Sequence, residues 1–356
     1  MKLIGAFALG MLSSTAVLAQ SQTFFEEWKG FSDPEIMSSG FSHTLSALPL
    51  TGSISEGTRA WSGHFWPSRE GGINNRWNTA EPVGFKYKSP SRAQVQSMGL
   101  EELKRLSPTE KFDLYMGRYD YPLKAEAGDA TSKSAPDWAG ICHGWAPASI
   151  HHNEPTPKTV TNPQGIEIPF GSADIKALLS YYYAFYLETE ETNQMGLRCF
   201  FGKWLGGVRG CSDDLNAGAF HIVIANKLGL QKEGFLMDKD QFRQVWNQPV
   251  TGYKSQIISA HMKPSSSAAK SAVSEIRVAT ELYYTDESLP QWDVVKGTEN
   301  QKMATMKLQY RLDVDAQGRI VGGTWDTSER PDFLWNKGRT ESFTGLLEHL
   351  GTLLND

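Results

Sequence analysis

The order of the predicted secondary-structure elements restricts the fold of this chain more than any other feature. Helical patterns dominate up to residue 187, and strand-like runs dominate the sequence that follows. Helices that come first, with a run of strands after them, are typical of proteins in which helices are segregated from an antiparallel sheet. The sequence therefore predicts the α+β class.

Three helices are predicted from periodicity and end signals. Residues 91–106 follow a helical pattern. Ser107, Pro108 and Glu110 then form a capping box that opens a second helix over residues 111–116. The third helix covers residues 172–187 and is strongly amphipathic, with Ser172 as its N-cap.

Strands are predicted in four places. Short apolar or alternating runs indicate strands over residues 219–225, 233–237, 276–285 and 306–325. A turn at residues 315–318 divides the last of these runs into a hairpin.

The first nineteen residues form a separate unit. Lys2 supplies a positive charge, residues 3–12 are apolar, and residues 17–19 end in a small residue that suits a cleavage site. We expect a secretory signal over residues 1–19, because the apolar run is too short to span a bilayer as an anchor. No later segment approaches eighteen apolar residues, so no stable membrane association is expected.

A linker divides the remaining chain. Residues 125–136 are small and polar, which places a boundary near residue 130. Residues 20–130 are therefore interpreted as an N-terminal, partly helical extension or a prosegment, and residues 131–356 as the catalytic domain. The N-terminal part of the extension, residues 20–60, has little periodicity and predicts a loosely structured lead-in.

The charge balance argues against one class of partner. Lys and Arg number 35 and Asp and Glu number 40, which gives a net charge of −5. Nucleic-acid-binding surfaces carry a basic excess. Nucleic acid is therefore not expected as a partner.

Cysteine usage singles out one thiol. In a secreted protein paired thiols tend to oxidise, and Cys199 and Cys211 lie twelve positions apart in a glycine-rich stretch. A disulfide between them leaves Cys142 unpaired. An odd cysteine in a secreted protein is a reactive thiol, an intermolecular partner or a buried, inert thiol, and without its neighbours the inert thiol is favoured.

The sequence around Cys142 suits a nucleophile. Gly140 and Gly144 keep the backbone uncrowded, and a helix that starts here would stabilise a thiolate and offer the Cys142 N–H to an oxyanion. Trp138 is a candidate second oxyanion donor. Trp138 and Trp145 are also candidate aromatic walls of the substrate site.

A base and an orienting acid are predicted from strand geometry. His221 lies in the apolar run 217–225, and Asp238 follows the next run. If the two runs are antiparallel neighbours, Asp238 lies beside His221 and fixes its tautomer. Asp240 and Asn226 are alternatives to Asp238, and His221 is equally well explained as a buried core residue.

Cys, His and Asp in this order are shared by papain-like peptidases and transglutaminases, which both form a thioester. One peptide then favours the second group. Six consecutive residues, followed by Gly252, Tyr253 and Lys254, resemble the surface peptide of the plant-defence-eliciting transglutaminases of Phytophthora: Val245, Trp246, Asn247, Gln248, Pro249 and Val250. The residues around Cys142 and the run 331–335 also resemble that family.

The resemblance implies a papain/transglutaminase-like core, in which a nucleophile helix packs on an antiparallel sheet. It implies a secreted, calcium-stimulated protein-glutamine γ-glutamyltransferase with Cys142 as nucleophile. Its partners would be a protein glutamine donor and a primary amine or lysine acceptor, with a recognition partner at the Trp246 loop. No metal ligands are identified, because the EF-hand-like start at residues 313–318 lacks the later ligands.

Two other functions remain open at this point. A papain-like peptidase or a glutamine deamidase would use the same residues. A non-catalytic recognition protein would use only the Trp246 loop.

Overall fold

The computed structural model describes Trp28 and residues 30–55, 60–81, 83–187, 192–198, 215–240, 244–340 and 342–355. Within these ranges, no helix has both the length and the apolar character needed to cross a membrane.

Seven α-helices are found in this part of the chain. They are α1 (Arg92–Ser97), α2 (Leu100–Leu103), α3 (Pro108–Tyr115), α4 (Pro122–Asp129), α5 (Cys142–His151), α6 (Ser172–Phe185) and α7 (Ala217–Ile224), which continues as a π-helix over Ala225–Gln231. Short 3₁₀ helices are formed by Gly30–Ser32, Pro34–Ile36, Leu45–Ala47, Ser68–Glu70, Gly72–Asn74, Gly345–Leu347 and Leu350–Leu353.

The same described ranges contain ten strands, which form two sheets. They are β1 (Thr51–Ser53), β2 (Lys158–Thr161), β3 (Glu167–Phe170), β4 (Thr192–Met195), β5 (Phe235–Asp238), β6 (Asn247–Met262), β7 (Ser274–Thr285), β8 (Met303–Val314), β9 (Ile320–Trp325) and β10 (Leu334–Lys337). The large antiparallel sheet has the order β4-β10-β5-β6-β7-β8-β9, and β1 also pairs with β6; β2 and β3 form a separate hairpin. Helices and an antiparallel sheet confirm the predicted α+β class.

Local end signals are confirmed at α3. Ser107 caps the helix, its side chain accepts the Glu110 N–H, and Glu110 bonds back to the Ser107 N–H. The predicted helix over 172–187 is also present as α6, although Gly171 rather than Ser172 is its N-cap. The strands predicted at 233–237, 276–285 and 306–325 correspond to β5, β7 and the β8–β9 hairpin.

The structure differs from the predicted strands in two places: one predicted strand is a helix, and one strand was not predicted. Residues 219–225 belong to α7, which is buried on every side, so an all-apolar run carries no helical or strand periodicity to distinguish the two. The sequence analysis also missed β6, the longest strand, because Pro249, Gly252 and several polar residues lower its strand propensity.

The predicted boundary near residue 130 does not divide the hydrophobic core. One buried cluster joins residues of the 61–127 segment, α5, α6 and the segment 333–353. A second cluster joins residues 28–54 to α7 and the large sheet. Residues 30–55 are also tied to the sheet rather than loose, since β1 pairs with β6 and the Leu45 N–H donates to the Gly318 carbonyl.

Candidate active site

Cys142 is the first residue of α5, the helix that packs between α6 and the large sheet. The Ile141 N–H donates to the Phe65 carbonyl at 2.7 Å, which fixes the turn before the helix. Gly140 and Gly144 are explained by packing, because a Cβ at Gly140 would lie 2.3 Å from the Phe65 carbonyl oxygen and one at Gly144 2.0 Å from the Ser180 carbonyl oxygen. Helix geometry leaves the first N–H groups without intrahelical acceptors, so the Cys142 N–H is a candidate oxyanion donor.

The Cys142 sulfur has two hydrogen-bond partners, both just before or at the start of β6. Sγ lies 3.6 Å from the Val245 carbonyl oxygen and 3.5 Å from Asn247 Nδ2. Burial raises the pKa of the Cys142 thiol, hydrogen bonds from Asn247 lower it, and the negative charges of Glu287 and Asp238 raise it further. The resting group is therefore a thiol rather than a thiolate.

Asp238 ends β5 directly opposite Asn247 in β6. Its side chain is fully buried; Oδ1 accepts the N–H groups of Trp246 at 2.8 Å and Asp240 at 3.1 Å, while Oδ2 has no hydrogen-bond partner. Burial raises the pKa of Asp238 to about 7, and the two N–H donors offset part of this rise. A carboxyl group with a pKa near neutrality can both accept and donate a proton.

The structure does not bring His221 to either residue. His221 is fully buried on α7, where Nδ1 lies 2.8 Å from the Tyr310 hydroxyl and Nε2 has no hydrogen-bond partner. Tyr310 continues the contact to Thr280 at 2.7 Å, and Thr280 to Ser255 at 2.7 Å. The hairpin argument for His221 was wrong because its run is a helix, and the core explanation holds.

No other histidine replaces it. All eight histidines lie in the described part of the chain, and none hydrogen-bonds to the Cys142 sulfur. His151 instead contacts the Lys337 carbonyl oxygen at 2.6 Å, and His152 the Tyr183 hydroxyl at 3.0 Å. Asp238 is the acidic residue in register with Asn247, whose amide contacts the Cys142 sulfur.

Of the two tryptophans predicted at the site, Trp145 is a core residue. It is fully buried, and its indole N–H donates to the Trp61 carbonyl at 3.3 Å. Trp138 is half-buried, with the Arg198 guanidinium 5.7 Å from its ring centroid. Its role as an oxyanion donor stays a prediction.

The family model described as transglutaminase elicitor matches residues 39–345. The chain belongs to the transglutaminase elicitor family. A solved relative by fold is the GP42 transglutaminase of Phytophthora sojae, with a TM-score of 0.65, 22% sequence identity and coverage of 89% of this chain and 94% of that one. No curated protein matches the chain.

The family-like hexapeptide is part of the candidate site rather than a surface loop. Val245 and Trp246 are half-buried, whereas Asn247, Gln248, Pro249 and Val250 are buried in β6 between β5 and β7. The expectation of a surface peptide was therefore wrong for its last four residues, because the segment forms the central strand that faces the nucleophile.

The two remaining cysteines of the chain, Cys199 and Cys211, lie outside the described residues, so their predicted disulfide stays a prediction. Asp240 and Asn226, the alternatives to Asp238, are described. Asn226 bonds to Ser42 and to the Ile222 carbonyl, away from Cys142. The Asp240 N–H donates to the Asp238 side chain. Asp238, and not Asp240, is the residue in register with Asn247.

Calcium stimulation stays a prediction. The described residues contain no group of three or more His, Cys, Asp and Glu side chains that could hold a metal ion. At the EF-hand-like turn, Asp315 accepts the N–H groups of Gln317 and Arg319 and forms an ion pair with the Arg319 guanidinium at 2.6 Å. This carboxylate is committed to the predicted hairpin.

Two residues near the sulfur were missed by the sequence analysis. Asn247 stands inside the hexapeptide, and its register opposite Asp238 follows once β5 and β6 are paired. Glu287 acts on the thiol from a loop after β7. Nothing in the local sequence indicates this second contact.

Proposed function

We propose that this protein is a secreted protein-glutamine γ-glutamyltransferase that works with Cys142 and Asp238. The observation that carries the proposal is the register of Asp238 opposite Asn247, whose amide contacts the buried sulfur at the start of α5. Membership of the transglutaminase elicitor family supports this reaction over others that use a buried cysteine.

In the first half-reaction Asp238 would take the thiol proton, directly or through one water molecule, and Cys142 would attack the γ-carboxamide carbon of a protein glutamine. The Cys142 N–H at the helix start would bind the developing oxyanion, and Trp138 is a candidate second donor. Asp238, now protonated, would then give its proton to the leaving ammonia. A pKa of about 7 for Asp238 suits both roles.

In the second half-reaction a primary amine, often a lysine, would attack the thioester and release the Cys142 thiolate. The products would be an amide linked through the new C–N bond and a regenerated thiol. Secretion through residues 1–19 and a disulfide between Cys199 and Cys211 belong to the same proposal. A recognition partner at the half-buried Trp246 is a further part of it.

The test is incorporation of a labelled primary amine into a glutamine-bearing protein, with Cys142→Ala as the matched inactive variant. Incorporation by the wild type alone supports the proposal. Backbone cleavage of the substrate would indicate a peptidase, and ammonia release without amine uptake would indicate a deamidase. Recognition activity that is equal in the wild type and the variant would indicate a non-catalytic protein.

Calcium enters as a variable of this assay, because family resemblance suggests that it stimulates the reaction. The described residues supply no ligand set for it, so no step of the chemistry is assigned to the ion.

A further inference from the structure

A second polar group lies beside the nucleophile, just after the end of β7. The Ser288 N–H donates to the Gly63 carbonyl at 2.8 Å and Asp286 Oδ1 accepts the Glu287 N–H at 3.1 Å, so the segment is held in place. The charge of Glu287 acts on the Cys142 thiol more strongly than that of Asp238 does. Trp246 connects this segment to the sulfur, because its two neighbours, Val245 and Asn247, contact Cys142 Sγ. Lys239 Nζ, which lies 3.9 Å from Glu287 Oε2, is 5.8 Å from the Trp246 ring centroid.

This segment already holds a primary ammonium group. Lys239 Nζ lies 2.9 Å from Asp286 Oδ1 and 3.9 Å from Glu287 Oε2. The same nitrogen is 5.8 Å from the ring centroids of Trp246 and of Tyr284. Two carboxyl groups and two aromatic faces are the partners that a lysine ammonium prefers in a partly dry site.

The ammonium group of Lys239 does not provide a hydrogen bond to every buried polar atom of these side chains. Glu287 Oε1 is buried and makes no hydrogen bond. Gln248 is fully buried and faces the Glu287 carboxyl group, and a hydrogen bond from its side chain lowers the pKa of Glu287. Buried polar atoms without partners are uncommon in native proteins and require an explanation, such as a ligand that satisfies them.

We propose that Glu287, Asp286, Trp246 and Tyr284 form the acceptor subsite, which binds the ammonium group of a lysine side chain or another primary alkylamine. Lys239 occupies this subsite in the resting protein and is displaced by the acceptor. The inference rests on the proposed transferase function and assigns the residues that bind the amine of its second half-reaction.

The chemistry of the subsite balances as follows. The bound alkylammonium gives one proton to the Glu287 carboxylate and becomes a neutral amine. Its lone pair forms the C–N bond at the thioester carbon while the C–S bond breaks and the electron pair leaves with the Cys142 sulfur. The surplus proton on the new amide nitrogen passes to that sulfur through Asp238.

The test compares two nucleophiles that differ in charge. Cadaverine carries ammonium groups at pH 7.5, whereas hydroxylamine is mostly neutral and does not need a carboxylate partner. Glu287→Gln is expected to raise the KM for cadaverine about tenfold, the loss of one partly buried charge pair, and to leave the KM for hydroxylamine unchanged. Glu281→Gln, on β7 and bonded to Tyr283, is the matched control and should change neither value.

A second variant tests the resting occupant. Lys239→Met removes the competing ammonium and is expected to lower the KM for cadaverine severalfold. An unchanged or raised KM would overturn the occupancy by Lys239. Equal changes for both nucleophiles in Glu287→Gln, or no change for either, would overturn the subsite. A wild-type protein that forms neither the hydroxamate nor the cadaverine product would instead refute the transferase function on which the subsite depends.

Discussion

Asp238 and Asn247 occupy directly opposite positions in the antiparallel pair of β5 and β6. Side chains in such a pair have Cβ atoms about 5 Å apart and point to the same face of the sheet. The Asn247 amide contacts the Cys142 sulfur at 3.5 Å. The pairing therefore places the Asp238 carboxyl group beside the residue that contacts the sulfur. Several measurements can test what this arrangement does.

Replacing Asp238 with Asn should abolish the proton transfer while keeping the shape of the side chain. We expect kcat/KM for glutamine to fall by about a hundredfold or more. In the wild type kcat/KM should rise as the pH increases through about 7, because the carboxylate is the active form, and the variant should lose this rise. Asp240→Asn is the control, and an equal loss in that variant would contradict the assignment to Asp238.

Replacing Asn247 with Ala should chiefly alter the pKa of the Cys142 thiol. Hydrogen bonds from Asn247 lower the pKa of Cys142, so the variant should have a higher thiol pKa. The measurement is the rate of alkylation by iodoacetamide between pH 6 and 10, whose midpoint should move upward. Asn336→Ala, which removes a bond to the Met37 carbonyl far from the thiol, should leave the midpoint in place.

His221 should affect stability and not catalysis. Its pKa is lowered to about 4 by burial, so the folded protein keeps a neutral imidazole while the unfolded chain binds a proton below about pH 6.5. Stability is therefore lost as the pH falls from about 6.5 towards 4, by about 2 kcal/mol between pH 7.5 and 5.

His221→Gln should remove this pH-dependent part while retaining kcat. Urea unfolding at the two pH values, compared with the wild type, measures it. The difference between variant and wild type is the relevant quantity, because His64 and His143 shift in the same direction and Asp238 and Glu287 in the opposite one. A hundredfold loss of kcat would show that His221 takes part in catalysis after all.

A chain that begins at residue 131 should not fold. It lacks α3 and α4, which supply buried residues to the first hydrophobic cluster, and it lacks Leu48 and Ile54, which belong to the second. We expect the truncated chain to be insoluble or to unfold without a cooperative transition in circular dichroism, whereas a chain that begins at residue 20 should unfold cooperatively. A folded, active product cut near residue 130 would restore the prosegment interpretation.

The sequence predicts those features that depend on local chemistry. The capping box at Ser107 and the turn at residues 315–318 each involve only neighbouring residues, and both are present. The nucleophile helix also follows from local sequence, since α5 begins at Cys142 itself. The α+β class follows from the order of such elements.

The acid–base partner could not be predicted because it depends on which strands are neighbours. The sequence predicts a pairing between the 219–225 run and β5. This run is instead a helix, and β5 pairs with β6 and β10. The pairing with β6 places Asn247 beside the sulfur. β6 itself is not predicted from the sequence, because its polar residues and its proline lower its strand propensity. Glu287 enters from a loop, where no periodicity exists to place it.

The burial of Cys142 determines how readily this thiol is oxidised. Oxidants attack thiolates that solvent can reach, and they convert them through sulfenic acid to forms that no longer react. The Cys142 side chain is only 4% exposed, and burial keeps it protonated. In the resting molecule, therefore, the Cys142 thiol is expected to react slowly with peroxide, so it would stay reduced in an oxidising medium that converts exposed thiolates.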